Sequence, residues 1–171
     1  KLFSKEENNF DILISNSKFT NCSAKESGGA IYCDSDSSMA IQSCNFFETK
    51  CGDKGSAIYV DLNGKLTLQD IGVDIKKKIV IKTAIYVTKG KSDGLLEING
   101  GCFISSNRQQ NDRTPDFLYF DSEGSVKFSD YSCFNGDKDK SIYINKDIND
   151  LESSIFNCNK CSLDSILPSR T

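Results

Sequence analysis

Gly28-Gly29-Ala30-Ile31-Tyr32-Cys33 contains a core, Ala-Ile-Tyr, that returns as Ala57-Ile58-Tyr59-Val60, Ala84-Ile85-Tyr86-Val87, Phe117-Leu118-Tyr119-Phe120 and Ser141-Ile142-Tyr143-Ile144. From tyrosine to tyrosine the steps are 27, 27, 33 and 24 residues, and a weaker copy, Ser165-Ile166-Leu167, follows 24 residues later. A near-constant period of this length marks a repeat architecture in which each unit stacks on the one before.

Two further landmarks recur upstream of each copy. The first is an alternating segment: Ile12 and Ile14, Met39 and Ile41, Leu66 and Leu68, Leu96 and Ile98, Val126 and Phe128, then a degraded Leu151 and Ser153. The second is an apolar site at Phe19, Phe46, Val73, Phe103, Phe134 and Phe156. Each repeat therefore holds three short strands, and none is long enough to bury a face alone. Period-two alternation puts Ile31, Ile58, Ile85, Leu118 and Ile142 on one side and Tyr32, Tyr59, Tyr86, Tyr119 and Tyr143 on the other. With the isoleucines inward, the tyrosines form an outside column.

Short strands separated by Gly, Asn, Asp and Ser corners suit a coil making one turn per repeat. An antiparallel sandwich would space its strands regularly without self-similarity. The expected fold is an all-β solenoid of about six rungs: residues 11–36, 37–63, 64–91, 92–123, 124–147 and 148–171, in one domain.

The run Phe19-Thr20-Asn21-Cys22-Ser23-Ala24, followed by Gly28-Gly29-Ala30-Ile31-Tyr32, resembles the Phe-x-x-Asn and Gly-Gly-Ala-Ile repeats of polymorphic outer-membrane-protein-like surface proteins. Gly55-Ser56-Ala57 is a near copy. The resemblance implies a right-handed parallel β-helix, related in fold to pectin-lyase-like proteins, and a structural and adhesive role at a cell surface or outside the cell. It supplies no ligand.

Net charge is −3, with 21 basic and 24 acidic residues well mixed, so nothing points to a nucleic-acid surface. No apolar run approaches the roughly 18 residues that a membrane span needs. The opening Lys1-Leu2-Phe3-Ser4 is neither an initiator methionine nor a signal sequence, so the chain is expected to be part of a longer protein with further rungs.

Eight cysteines among 171 residues suit an oxidising compartment. Successive rungs lie about 4.8 Å apart, within the Cα range of a disulfide. Cys22 with Cys51, 29 residues apart, and Cys102 with Cys133, 31 apart, are the expected inter-rung pairs. Cys158 and Cys161 form a C-x-x-C expected to close as a local staple. Cys33 stands where Val60 and Val87 stand and reads as a buried apolar residue; Cys44 has no evident partner. The chain has no histidine and no second cysteine pair beside the C-x-x-C, so neither a metal nor a cofactor is expected. Asn21-Cys22-Ser23 is a candidate glycosylation sequon.

Two candidate binding regions follow. One is the tyrosine column, whose amphipathic rings suit a glycan or a partner protein. The other is the polar insertion 105–116, with Arg108 and Arg113. The carboxylates Asp34, Asp36, Asp61, Asp121, Glu123, Asp147 and Asp150 follow the tyrosine strands, and they read as turn chemistry ahead of a calcium site. No nucleophile elbow, phosphate loop or paired-carboxylate cleft is evident, so a non-catalytic scaffold or adhesin is the leading expectation. A polysaccharide-binding or polysaccharide-degrading protein and a module within a larger assembly are the alternatives. The expected partners are further rungs of a parent chain, another protein or a surface glycan.

Overall fold

The computed structural model describes residues 10–62, 64–75, 83–88, 94–105, 115–129, 132–135, 141–145, 155–156 and 161. The first level of chain is β1 (Ile12–Ser15), β2 (Lys18–Thr20), β3 (Ser23–Ala24) and β4 (Ile31–Ser35). The second is β5 (Met39–Gln42), β6 (Asn45–Phe47), β7 (Lys50–Cys51) and β8 (Ile58–Leu62). The third is β9 (Lys65–Ile75) and β10 (Ile85–Thr88); the fourth is β11 (Leu95–Ser105) and β12 (Leu118–Phe120). β13 (Ser125–Phe128), β14 (Ser132–Phe134) and β15 (Ile142–Ile144) make the fifth. These strands pair in parallel, as in β1 with β5 and β4 with β8. One sheet runs β1-β5-β9-β11-β13 and another β4-β8-β10-β12-β15, giving a β-solenoid of about 4 turns.

The sequence period becomes the spatial register. Ile12 lies beside Met39, Met39 beside Leu66, Leu66 beside Leu96, and Leu96 beside Val126. Phe19 pairs with Phe46, Phe46 with Val73, Val73 with Phe103, and Phe103 with Phe134; an isolated bridge adds Phe156. Ile31, Ile58, Ile85, Leu118 and Ile142 align in the same way. All three columns point inward: Phe46, Phe103, Phe134, Ile58, Leu66 and Leu96 are fully buried. Each such side chain contributes roughly 1.5–3 kcal/mol by leaving water. The strands are individually too short to fold alone, so stacking supplies the stability that no single rung has.

The corners depend on single left-handed residues. Asn16, Ser43 and Asp70 have φ near 50°, and Gly100, which follows in the same column, has φ 81°. Asn21 and Glu48 form a second column with φ 55° and 52°. Asn and Asp tolerate this region; Ser43 and Glu48 are held there by main-chain bonds to the next level, Ser43 N–H to Gln69 O at 2.9 Å and Glu48 N–H to Asp74 O at 3.4 Å. Gly28 and Gly55, at φ 68° and 67°, open the Ala-Ile-Tyr strands where a Cβ would run into the carbonyls of Ile31 and Ile58.

Two expectations about the rungs change. Among the described residues the strands form five levels, about 4 turns, against six expected rungs; most of the last repeat, 148–171, lies outside the described residues, and Phe156 continues the ladder there. Three strands per rung become four short ones in levels one and two. In levels three and four the first two strands fuse into eleven-residue β9 and β11. Fusion is possible because the corner is one residue long and pairing continues on both sides of it, Asn99 with Gln69 and Gly101 with Ile71. No helix among the described residues is long and apolar enough to cross a membrane.

Candidate functional site

The five tyrosines stack into a continuous ladder on the outside of the β4-β8-β10-β12-β15 sheet. Ring centroids are 5.0 Å apart for Tyr32 and Tyr59, 6.0 Å for Tyr59 and Tyr86, 4.7 Å for Tyr86 and Tyr119, and 4.5 Å for Tyr119 and Tyr143. Interplanar angles stay between 4° and 18°. The cause is the parallel register, which places each tyrosine directly beside the next. Each pair adds about 0.5–1.5 kcal/mol beyond area burial. Stacked rings turn their faces toward one another, so the ladder presents ring edges and hydroxyls to solvent. The end rings are open, Tyr32 at 58% and Tyr143 at 43% exposure, and the middle three are half-buried.

A second ladder runs beside the first. Two positions beyond the tyrosines, on the same face, stand Asp34, Asp61 and Thr88 in direct register. Asp121 follows, its N–H bonded to Val87 O at 2.9 Å, and Asn145 donates from Nδ2 to Asp121 Oδ1 at 2.9 Å. Tyr59 hydrogen-bonds with the Thr88 side chain, and Tyr86 with Tyr119, so hydroxyls link adjacent levels.

The electrostatics of this face are negative. Burial, then the charges of Asp34 and Asp36, push the Asp61 carboxyl above the ordinary aspartate range. Its Oδ1 is buried without a hydrogen-bond partner. The phenols of Tyr59, Tyr86 and Tyr119 are raised first by burial and then by neighbouring tyrosines and carboxylates, Asp121 foremost at Tyr86. Lys54 opposes this, with its Nζ 5.0 Å from the Tyr86 ring centre.

Asp61 sets a pH dependence. A carboxyl whose folded pKa exceeds its unfolded value stabilises the fold while it is protonated, and that contribution is lost as pH rises from about 4 through the raised value. Asp61→Asn is therefore expected to gain about a few tenths of a kcal/mol over the parent near neutral pH, the site being partly solvated. The gain should vanish in acid; chemical denaturation at several pH values measures it, and a variant less stable at neutral pH would refute the assignment.

The cysteines depart from expectation. Cys102 is bonded to Cys161, with Cα atoms 5.4 Å apart, so neither the Cys102–Cys133 pair nor the Cys158–Cys161 staple forms. Cys102 and Cys133 do lie directly opposite in β11 and β14. In-register parallel neighbours project their Cβ atoms in the same direction at about 4.8 Å, wider than the roughly 3.8 Å that a disulfide takes. Cys133 is itself disulfide-bonded, and Cys158 lies outside the described residues. The Cys22–Cys51 pair also does not form; both are thiols. Their spacing of 29 overshoots the register by two, since Cys51 sits opposite Ala24. Cys33 is buried opposite Val60, as expected, and Cys44 is fully buried with its thiol directed to Gln42 O at 3.2 Å.

Asn21 is exposed at a left-handed corner. Arg108, Arg113 and the Lys76-Lys77-Lys78 run lie outside the described residues. Among the described residues no three His, Cys, Asp or Glu side chains gather as metal ligands. Sequence reasoning found the tyrosine column and the acidic positions after it but missed Lys54. Lys54 reaches a tyrosine of the following rung, a contact that no motif signals. No family model, curated protein or solved structure matches the chain.

Proposed function

We propose that this chain is a non-catalytic structural and adhesive module that works outside the cell or at its surface. The observation that carries the reading is the Cys102–Cys161 disulfide, which ties β11 to a residue 59 positions further along. Disulfides persist in oxidising compartments, and closing a loop of this length stabilises a fold by about 2–4 kcal/mol. The flat geometry supports the same reading. Asp34 and Asp61 stand side by side on one open sheet face, whereas glycoside hydrolysis needs two carboxylates facing each other across a sugar. The Gly-Gly-Ala-Ile motif of the first rung, resembling repeats of polymorphic outer-membrane-type surface proteins, agrees with display at a surface. A glycan is the second candidate partner, favoured by the length of the tyrosine ladder alone.

Thiol titration of the denatured protein, purified from its native source, tests the reading. Fewer than eight thiols are expected without reductant, since Cys102, Cys133 and Cys161 are disulfide-bonded, and eight with it. Eight in both cases would place the chain in a reducing compartment and overturn the assignment.

A further inference from the structure

We propose that the paired tyrosine and aspartate ladders form a docking strip for an extended, lysine-rich peptide segment. The strip occupies one face of a single sheet, with Tyr32 and Tyr143 open at its two ends. Its chemistry favours ammonium groups over sugars. A sugar ring stacks on the flat face of an aromatic side chain, and here the faces between successive tyrosines are turned toward one another, at 4.5 to 6.0 Å between centroids. What remains outside is a row of phenol oxygens beside the carboxylates of Asp34, Asp61 and Asp121, all hydrogen-bond acceptors that an ammonium can use.

Charge complementarity selects the occupant. Asp61 stands in register beside Asp34, its carboxyl raised by burial and then by Asp34 and Asp36, and carboxylates also face the tyrosines, Asp61 at Tyr59 and Asp121 at Tyr86. A cation placed along the strip relieves that repulsion. Lys54 already seats one there: its Nζ lies 5.0 Å from the Tyr86 ring centre, at the level where the ladder opens to 6.0 Å. The chain's own lysine thus marks the kind of group the strip accepts and occupies its middle. Extent also matters. Five levels at about 4.8 Å make a strip roughly 19 Å long, the span of about six residues of extended peptide at about 3.3 Å each.

The inference rests on the adhesive reading above and names its partner, yet the two fail separately. A count of eight thiols without reductant removes the extracellular assignment and leaves peptide binding untouched; absence of peptide binding with fewer than eight removes only the docking strip. The probe is octalysine, with octaglutamate and a neutral cello-oligosaccharide as comparators, followed by tyrosine fluorescence of the intact chain, which contains no tryptophan. Saturable binding of octalysine alone is expected, weakening as salt rises from about 0.1 M to about 1 M. The Asp34→Asn/Asp61→Asn/Asp121→Asn variant is expected to lose affinity roughly tenfold or more, as three charge-assisted contacts go.

Lys54→Ala carries the opposite sign. Removing the resident ammonium should tighten octalysine binding by roughly threefold or more, a gain that misfolding cannot imitate. Unchanged or weaker binding in Lys54→Ala, an unaffected triple variant, or preference for the oligosaccharide would each overturn the proposal.

Discussion

Phe134→Ala is expected to lower stability by about 3–5 kcal/mol, the largest loss from any single side chain considered. Phe134 is fully buried and is the hub of the aromatic core. Its ring stacks on Phe103 at 4.4 Å between centroids and meets Phe117, Phe128 and Phe156, each at 6.0 Å. Alanine would leave a cavity bounded by the β-strand backbones of two levels, which cannot collapse inward without breaking the main-chain ladder. For a domain of this size the thermal midpoint should fall by about 10 °C. A solenoid contacts only neighbouring levels, so the damage should be local. Amide exchange is expected to accelerate in β14 and β15 before it does in β4 or β8. Leu13→Ala, at a position 59% exposed, is the matched control and should change stability by less than about 0.5 kcal/mol. A loss below about 1 kcal/mol for Phe134→Ala would mean that the phenylalanine column is not the core of the coil.

Gly29→Ala tests the main-chain stacking instead of the side-chain core, and it should cost about 3 kcal/mol. An added Cβ would overlap the carbonyl oxygen of Ser56 and come within 2.5 Å of Lys50 O, both backbone atoms of the next level. Neither can yield without dragging its strand. The first level would have to lift, breaking bonds such as Gly29 N–H to Gly55 O at 3.1 Å and Ala30 N–H to Ala57 O at 3.0 Å. Ser56, the counterpart of Gly29 one rung later, carries a side chain in that column, so Ser56→Ala should cost no more than about 1 kcal/mol. Denaturation of the two variants in parallel decides the matter: equal midpoints for Gly29→Ala and the parent would show that the levels are not in this close register.

Much of the fold was legible because parallel stacking converts a sequence period into adjacency. Phe19 and Phe46 stand 27 residues apart and end with rings 4.9 Å apart, and Tyr32 and Tyr59 do the same at 5.0 Å. Where the period held, pairing, burial and the outward tyrosines could all be read off. The disulfides were not legible, since the register that sets Cys102 beside Cys133 also holds their side chains parallel, and Cys161 reaches Cys102 from the repeat after next. Composition gave no warning of the negative field at Asp61 either, because total charge is nearly balanced and only adjacency with Asp34 and Asp36 makes it local.

The amino-acid order by itself determined that the chain coils, which residues face inward, and that five tyrosines form one column, because these follow from translation by a constant step. Tertiary structure alone decided which sulfurs bond, where Lys54 rests and that the buried Oδ1 of Asp61 is left without a hydrogen-bond partner. Those features depend on side chains approaching across the period, where distance and direction in space replace spacing along the chain.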